Sequence, residues 1–595
     1  MKTPKSWSRI VAPALLILAG ASQAQAAQLL PVEDDAEQEP EVLVKGMNVR
    51  FHARAVRGLA AGARQGEGPI AHGKNVHGDH GAPGGVQIND PALDHVQTFA
   101  GTRPFEFSTQ SETSVASFGK NIVVGYNSSA DSPIVQLPAG LFFEHVHFSA
   151  FSTSNDGGQS WTSGFIPPPE GSLETDGDPS LAVDRSGNFY YASLGADAAG
   201  TFSLIVGKST DGGRTFAPAV VVAADDGSDK EWLAIGPDPV QRKQDNLYVT
   251  WTSFQATGSE LRFSRSTDGG ATWSPAQALF APTDTGAMSA FIQFSNPVVD
   301  RSSGRLYIPF LHFSNSDADL VRVLVSDDAG ATFQLLRFDI AGAPDPFGFP
   351  NVTPGVLTDC GNPGGGFRTV LHQGPDLGGG RLALPRYRQA TRLISQPSAA
   401  AADGRLFIAL NSSTSATFGD PAAGSTIRLL YSLNGGKKWS VRTIAPATTR
   451  DPQHVHPSVS VDDDGEHVRV GYYTQQADER LRTDLLVAEV GAHGFKIEDV
   501  RALSRGAFDL TPSNIPLPSA ATPFRTTNYD RLVQPCYNIG EYMSVVLAGK
   551  GKPSVQSAWG DNRRLWTSPP GSPLFGTALE THAQPDVFFT TSSDH

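Results

Sequence analysis

The chain has 595 residues, of which 61 are Gly and 43 are Pro, and 39% are hydrophobic against 18% charged. This composition excludes a mainly disordered protein and a long coiled coil, and it favours many short strands joined by turns. The net charge of −14, from 46 basic and 60 acidic residues, excludes a nucleic-acid binder that neutralises phosphates with a basic stripe.

The N-terminus predicts export. Lys2, Lys5 and Arg9 precede the apolar run 10–21, and small residues follow at 24–26. This order is typical of a secretory signal peptide at residues 1–26, so we expect a secreted or periplasmic protein. No segment has the roughly 18 consecutive apolar residues of a membrane span, which predicts no membrane insertion.

Residues 27–95 pass from an acidic stretch into Gly- and His-rich sequence. This composition predicts a disordered linker. His72, His77 and His80 could ligate a metal, but a solvated linker is the favoured interpretation.

A short turn pattern, S-x-[DN]-x-G-x-[ST/K]-[WF], recurs five times. Its third position is Asp156, Asp211, Asp268, Asp328 and Asn434. In each copy the Asp or Asn side chain is expected to accept backbone N–H groups of a hairpin turn, and Gly supplies a positive φ. These five residues are therefore predicted to be structural.

A second pattern, a polar residue followed by a short apolar strand, recurs seven times. Its polar positions are Glu112, Asp178, Lys230, Asn296, Gln396, His456 and Glu541. Repeats of about 50–65 residues with four short strands predict an all-β, seven-bladed β-propeller at 96–595, with six blades as the alternative. The longest interval carries an insertion at about 337–393.

In a propeller the first strands of all blades converge on one channel. The seven polar positions would then form a ring of acids, amides, a lysine and an imidazole. We assign Glu541, Asp178, His456 and Tyr542 as candidate catalytic residues. Glu112, Lys230, Asn296 and Gln396 are candidate substrate-binding residues. The alternative is that these side chains only solvate the channel of a scaffold.

Metal and cofactor motifs are absent from the sequence, and no cofactor is expected. Glu174, Asp176 and Asp178 are the residues that would hold Ca²⁺ if an ion binds. Asp462 begins a sequence that is more typical of a hairpin turn than of a calcium loop. In an oxidising compartment Cys360 and Cys536 either form one disulfide or remain two buried thiols.

The five turns resemble the Asp-box (bacterial neuraminidase) repeats of the sialidase superfamily, and the resemblance covers about residues 100–590. It implies a β-propeller in which these boxes lie far from the active site. It also implies a monomeric, exo-glycosidase-like protein whose partner is an extracellular glycan.

A sialidase-type glycoside hydrolase needs a Tyr nucleophile with a Glu partner, an Asp acid/base and three Arg residues that bind a carboxylate. The candidate nucleophiles are Tyr387, Tyr529 and Tyr542. The candidate arginines are Arg103, Arg368, Arg386, Arg388, Arg525, Arg531 and Arg563. Arg386 and Arg388 lie in a phrase similar to one found in sialidases and are assigned to substrate binding.

The chain departs from the family in the first blade, where the typical Arg-Ile-Pro segment is missing and Arg103-Pro is the nearest sequence. Enzyme status is therefore open. A non-catalytic propeller that binds glycans or proteins is the main alternative, and a polysaccharide lyase is a third hypothesis.

Overall fold

The structure is a computed structural model. It describes residues 76–77, 84–91, 93, 110–131, 134–137, 140–143, 146–255, 258–281, 290–314, 320–336, 357–359, 362–364, 396–414, 424–478, 480–491, 494–504, 506–508, 540–548, 553–567, 570, 576 and 581–593.

The described residues form an all-β protein, and they contain no helix. In this part of the chain there is accordingly no helix with the length and apolar character needed to cross a membrane. The all-β prediction is confirmed.

The strands fall into four-stranded antiparallel groups, which we call units 1–7 in chain order. Two short strands precede them: β1 (Val76–His77) and β2 (Val86–Gln87). Unit 1 contains β3 (Gln110–Phe118), β4 (Asn121–Asp131), β7 (Val146–Ser154) and β8 (Ser160–Phe165), and it is interrupted by the hairpin β5 (Ile134–Leu137) and β6 (Gly140–Phe143). Unit 2 contains β9 (Glu174–Val183), β10 (Phe189–Ala196), β11 (Phe202–Ser209) and β12 (Val220–Ala224).

Units 3 and 4 continue the same order. Unit 3 contains β13 (Ser228–Pro237), β14 (Asp245–Gln255), β15 (Gly258–Ser266) and β16 (Gln277–Phe280). Unit 4 contains β17 (Ala290–Gln293) and β18 (Val298–Val299), which share one position, followed by β19 (Leu306–Ser314), β20 (Leu320–Ser326) and β21 (Gln334–Leu335). The hairpin β22 (Leu357–Asp359) and β23 (Asn362–Gly364) lies in the predicted insertion.

Three units follow the insertion. Unit 5 contains β24 (Ser398–Ala402), β25 (Arg405–Ser413), β26 (Ser425–Ser432) and β27 (Ser440–Ala445). Unit 6 contains β28 (Gln453–Val461), β29 (His467–Gln475), β30 (Leu481–Gly491) and β31 (Gly494–Ala502). Unit 7 contains β32 (Ser544–Ala548), β33 (Ser554–Thr567) and β34 (Thr581–Ser593), and β2 is its fourth strand.

The hydrophobic core lies between neighbouring units. One buried cluster fills each interface from units 1 and 2 through units 6 and 7. A further cluster, which includes Val124, Trp161 and Phe589, joins unit 7 to unit 1. Sheets packed face to face in this way bury both faces of every unit, which is consistent with a β-propeller-like fold.

Hydrogen bonds between first strands repeat around the molecule. A side-chain oxygen in one unit accepts the backbone N–H of the next unit, as from Ser114 to Leu181 at 2.9 Å and from Ser544 back to Val115 at 3.1 Å. The same contact joins Ser180 to Leu233, Asn296 to Ala399, Ser398 to Val459 and Ser458 to Val545. These bonds fix the order of the first strands.

This bond is missing between unit 3 and unit 4. Trp232 occupies the acceptor position of unit 3 and has no side-chain oxygen, and Pro297 occupies the donor position of unit 4 and has no N–H. Gln293 Nε2 instead donates to Asp229 Oδ2 across this interface at 2.7 Å. The side-chain acceptor and the backbone donor are both missing at this interface, so neither is left without the other.

Residues 84–91 form a strap that the sequence assigned to the linker. β2 pairs with β34, and Asn89 donates to Asp586 Oδ1 at 2.8 Å while accepting Val587 N–H at 2.9 Å. Ile88 O accepts the Ser152 hydroxyl of unit 1 at 2.9 Å. The ordered fold therefore begins before residue 96, and the strap joins its first and last units.

The five predicted turns have the expected hydrogen bonds. Asp268 Oδ1 accepts Thr272 N–H at 2.9 Å, and Ser266 Oγ accepts Gly270 N–H at 2.9 Å. Hydrogen bonds from the Thr272 side chain and backbone lower the pKa of Asp268 to about 2. These carboxylates stabilise turns, so a structural role fits them.

Asp586, which accepts a hydrogen bond from Asn89 of the strap, is expected to make the stability depend on pH. Burial raises the pKa of Asp586 to about 6, although Arg564 and Asn89 act to lower it. Because the folded pKa exceeds the unfolded value, the folded state gains stability as the pH falls through about 6. We expect the wild-type free energy of unfolding to rise more from pH 7 to pH 5 than that of Asp586→Asn. Urea titrations at pH 5, 6 and 7 measure this, and equal pH slopes would contradict it.

Candidate functional site

Four predicted ring residues share an unusual backbone conformation. Glu112, Asp178, Lys230 and His456 have φ of 55°, 56°, 51° and 50°. Each lies at a register shift between the first and second strands of its unit. Left-handed non-glycine residues at bulges cost free energy and concentrate at functional sites. The sequence alignment of these four positions is correct.

Lys230 connects residues of four units. Its Nζ lies 3.3 Å from Glu112 Oε2, 3.0 Å from Asp178 Oδ1 and 2.5 Å from Glu541 Oε2. The exposed fractions of the four residues are 0–5%. We call Glu112, Asp178, Lys230 and Glu541 the axial cluster. An ammonium group has three N–H donors, and here each faces one carboxylate.

The charge state of Lys230 follows from these neighbours. Burial alone would lower the pKa of Lys230, but Asp178, Glu112 and Glu541 raise it well above its usual value. The side chain is therefore a permanent cation.

Glu231 is a candidate that the sequence did not single out, although it directly follows Lys230. It is buried, and neither side-chain oxygen has a hydrogen-bond partner among the described residues. Burial, together with the charge of Asp178, raises its pKa well above the usual value. The neutral acid is favoured at this position, so a potential proton donor lies next to the axial cluster.

Tyr542 lies over the axial cluster. Its ring centroid is 5.7 Å from Lys230 Nζ, and its hydroxyl donates to Pro179 O at 3.1 Å. Burial and the nearby Glu112 and Asp178 raise its pKa well above 10. A nucleophilic phenolate needs the opposite shift.

Two ring residues have a different register from the one predicted. The acceptor position of unit 4 is Asn296 itself, and the left-handed residue two places earlier is Phe294. Asn296 is thus two positions away from the alignment predicted for it, because its Asn-Pro sequence resembles the Asp178-Pro pair. Glu541 lies three residues before the acceptor Ser544, where the other units have two, yet it reaches the axial cluster.

His456 and Gln396 keep the predicted register, two residues ahead of the acceptors Ser458 and Ser398. Both are buried. The described ring contact of His456 is edge-to-face with Tyr473, with centroids 5.9 Å apart. The axial cluster therefore unites Glu112, Asp178, Lys230 and Glu541, and His456 packs on its own unit.

Of the candidate arginines, Arg563 is described. Its guanidinium pairs with Asp561, donates to Gly84 O of the strap at 2.8 Å and lies over Phe588. Its contacts are therefore structural. The other candidates lie outside the described residues, as do two of the candidate tyrosines and the cysteine pair: Arg103, Arg368, Arg386, Arg388, Arg525, Arg531, Tyr387, Tyr529, Cys360 and Cys536.

Two of the three sets of possible metal ligands lie within the described residues, whereas His72 and His80 of the third set lie outside them. Asp178 of the calcium set bonds Lys230, while Glu174 and Asp176 are buried on the same strand. Asp462 and His467 lie near Asp464 in the turn between β28 and β29. Asp462 Oδ1 accepts Glu466 and His467 N–H groups at 2.9 Å, which is the predicted hairpin turn.

No protein-family model and no curated protein matches this chain. Solved structures do. A protein of unknown function from Dyadobacter fermentans DSM 18053 is 14% identical, with a TM-score of 0.37, 72% of this chain covered and 97% of the other. The intramolecular trans-sialidase from Ruminococcus gnavus is 11% identical, with a TM-score of 0.35, 69% of this chain covered and 93% of the other. A polysaccharide lyase described as an ulvan lyase is 14% identical, with a TM-score of 0.36, 69% of this chain covered and 84% of the other. At these identities and TM-scores nothing about activity transfers from them.

Proposed function

We propose that the chain is a secreted, closed seven-bladed β-propeller that acts on extracellular glycans at the axial cluster, as an exo-glycosidase. The observation that carries this proposal is the convergence of Asp178 and Glu541 on one buried lysine. Left-handed backbone at Glu112, Asp178 and Lys230 supports a functional site, because such strain is retained where geometry matters.

The two carboxylates lie close together. The same nitrogen lies 3.0 Å from Asp178 Oδ1 and 2.5 Å from Glu541 Oε2, so these oxygens are at most about 5.5 Å apart. In retaining glycosidases the two carboxyl groups are about 5–5.5 Å apart, and the pair here is no further apart than that. In this proposal one protonates the leaving oxygen and the other stabilises or attacks the anomeric carbon, while Lys230 positions both.

A sialidase-type reaction needs an arginine cluster as well. Arg563 is bonded to the strap, so the carboxylate-binding role falls to Arg386 and Arg388 or to the other candidates outside the described residues. Sialosides and uronosides are therefore tested beside neutral glycosides.

The catalytic proposal predicts a large loss of turnover in Asp178→Asn and Glu541→Gln. Removing one acid/base group typically costs about 10²–10⁴-fold, so we expect kcat/KM on aryl sialosides, N-acetylhexosaminides or glucuronides to fall by at least about 100-fold. Asp268→Asn is the matched control, since it makes the same change in an exposed turn. Unchanged rates in the axial variants, or no hydrolysis by the wild type, would contradict the proposal.

The second candidate function is a non-catalytic glycan- or protein-binding scaffold. The observation that favours it is burial, because the four axial residues are 0–5% exposed and tie four units together. In that case Asp178→Asn lowers the melting temperature without any turnover to lose, and glycan-array binding persists in the wild type.

A further inference from the structure

Trp232 departs from the residue type at its position. The equivalent first-strand residues are five serines and one asparagine, and each accepts a hydrogen bond from the next unit: Ser114, Ser180, Asn296, Ser398, Ser458 and Ser544. Since Pro297 of unit 4 offers no N–H, unit 3 needs no acceptor there. A large apolar side chain is tolerated at this position alone.

The indole of Trp232 reaches across the centre of the molecule. It meets the ring of Tyr542 edge-to-face, with centroids 5.2 Å apart. Trp232 belongs to unit 3 and Tyr542 to unit 7, and units 1 and 2 lie between them in the order of the first strands. The two aromatic side chains can therefore meet only over the space that the first strands surround.

The aromatic pair lies directly beside the axial cluster. Lys230 precedes Trp232 by two residues, and its Nζ is 5.7 Å from the centroid of Tyr542. Lys230 and Tyr542 are both 4% exposed, whereas Trp232 is only partly buried. Solvent thus reaches the indole but not the ammonium group behind it.

We propose that Trp232 is a seal that closes the central channel behind the axial cluster. It keeps the water that reaches the indole away from Lys230, which is 4% exposed. Exclusion of water strengthens the three ion pairs, because charges interact more strongly in a low-dielectric environment. The proposal rests on the proposed closed ring, but it does not depend on turnover.

Chemical access to Lys230 tests the seal in the full-length protein. Reductive methylation with formaldehyde and dimethylamine borane, mapped by peptide mass spectrometry, reports the accessibility of each lysine amine. In the wild type we expect Lys496, whose side chain is 73% exposed, to react and Lys230 to be protected. In Trp232→Ser, water enters and weakens the ion pairs that keep the Lys230 amine protonated and unreactive. We therefore expect Lys230 to react at least about tenfold faster in Trp232→Ser, and Trp232→Phe should restore protection.

Several outcomes would overturn the seal. They are a reactive Lys230 in the wild type, equal protection in folded Trp232→Ser, or equal reactivity of the Ser and Phe variants. If Trp232→Ser does not melt cooperatively, Trp232→Leu replaces it, because Leu fills less of the channel without adding a polar group. Failure of glycoside turnover leaves the methylation result unchanged, so the two proposals fail separately.

Discussion

Lys230→Met is expected to lower the free energy of unfolding by about 3–5 kcal/mol, the typical cost of removing one partner from a buried ion cluster. The variant keeps the length of the side chain but leaves Glu112, Asp178 and Glu541 without the ammonium that all three contact. Three buried carboxylates then repel one another. Urea unfolding followed by tryptophan fluorescence measures the change.

A matched control separates this effect from the loss of any lysine. Lys496→Met removes an exposed lysine that pairs with Glu498 on the surface, and such solvent-screened pairs contribute little to stability. The axial cluster also predicts recovery. Lys230→Met combined with Glu112→Gln, Asp178→Asn and Glu541→Gln should regain much of the stability, because the buried charges are gone. Equal stability of Lys230→Met and Lys496→Met would contradict the ion-cluster account.

The sequence predicted much of this cluster because its residues precede a repeated pattern. A polar residue, a small acceptor and a short apolar strand follow one another in units 1, 2 and 6, so Glu112, Asp178 and His456 could be aligned from spacing alone. The bulge places the polar residue in left-handed conformation in each of these three units. Lys230 was found by the same alignment, although its acceptor position holds Trp232.

The failures have equally local causes. In unit 4 the left-handed residue is the apolar Phe294, so the Asn296-Pro297 pair attracted the alignment instead. Because Phe294 is apolar, the sequence has no polar residue that marks the position of this bulge. The strap was not predicted, because the Gly- and His-rich sequence around β2 is typical of a linker. The two residues of β2 form a strand only because they pair with β34, which is distant in sequence. Pairing over such a distance in sequence cannot be predicted from local composition.

Contacts between side chains were also beyond the sequence. The ring prediction put seven polar residues at one level, but it could not tell that Lys230 reaches three carboxylates while Asn296 bonds the backbone of unit 5. The difference arises from register, since Lys230 is the left-handed residue of its unit whereas Asn296 lies two residues after the left-handed Phe294. Function depends on this difference, because the lysine determines which acids lie together.

Gly540→Ala is expected to lower the free energy of unfolding by about 2–5 kcal/mol, from left-handed strain and overpacking together. Gly540 has φ of 84°, and a Cβ there would lie 2.3 Å from Glu112 Cγ and 2.6 Å from Glu112 N. The backbone nitrogen cannot move aside without shifting β3. The strain falls on Glu112 and on the backbone next to Glu541, and both carboxylates contact Lys230. Any glycoside turnover should therefore fall as well.

Gly491→Ala is the control for this substitution, because its added Cβ meets nothing within 4 Å and its backbone is not left-handed. An alanine at such a site changes stability little or raises it by about 0.4–1 kcal/mol, since it restricts the unfolded chain. Equal unfolding midpoints for the two variants would show that Gly540 is not needed for the approach of unit 7 to Glu112. A fall in the midpoint for Gly540→Ala alone would tie closure of the ring, between its first and last units, to the geometry of the axial cluster.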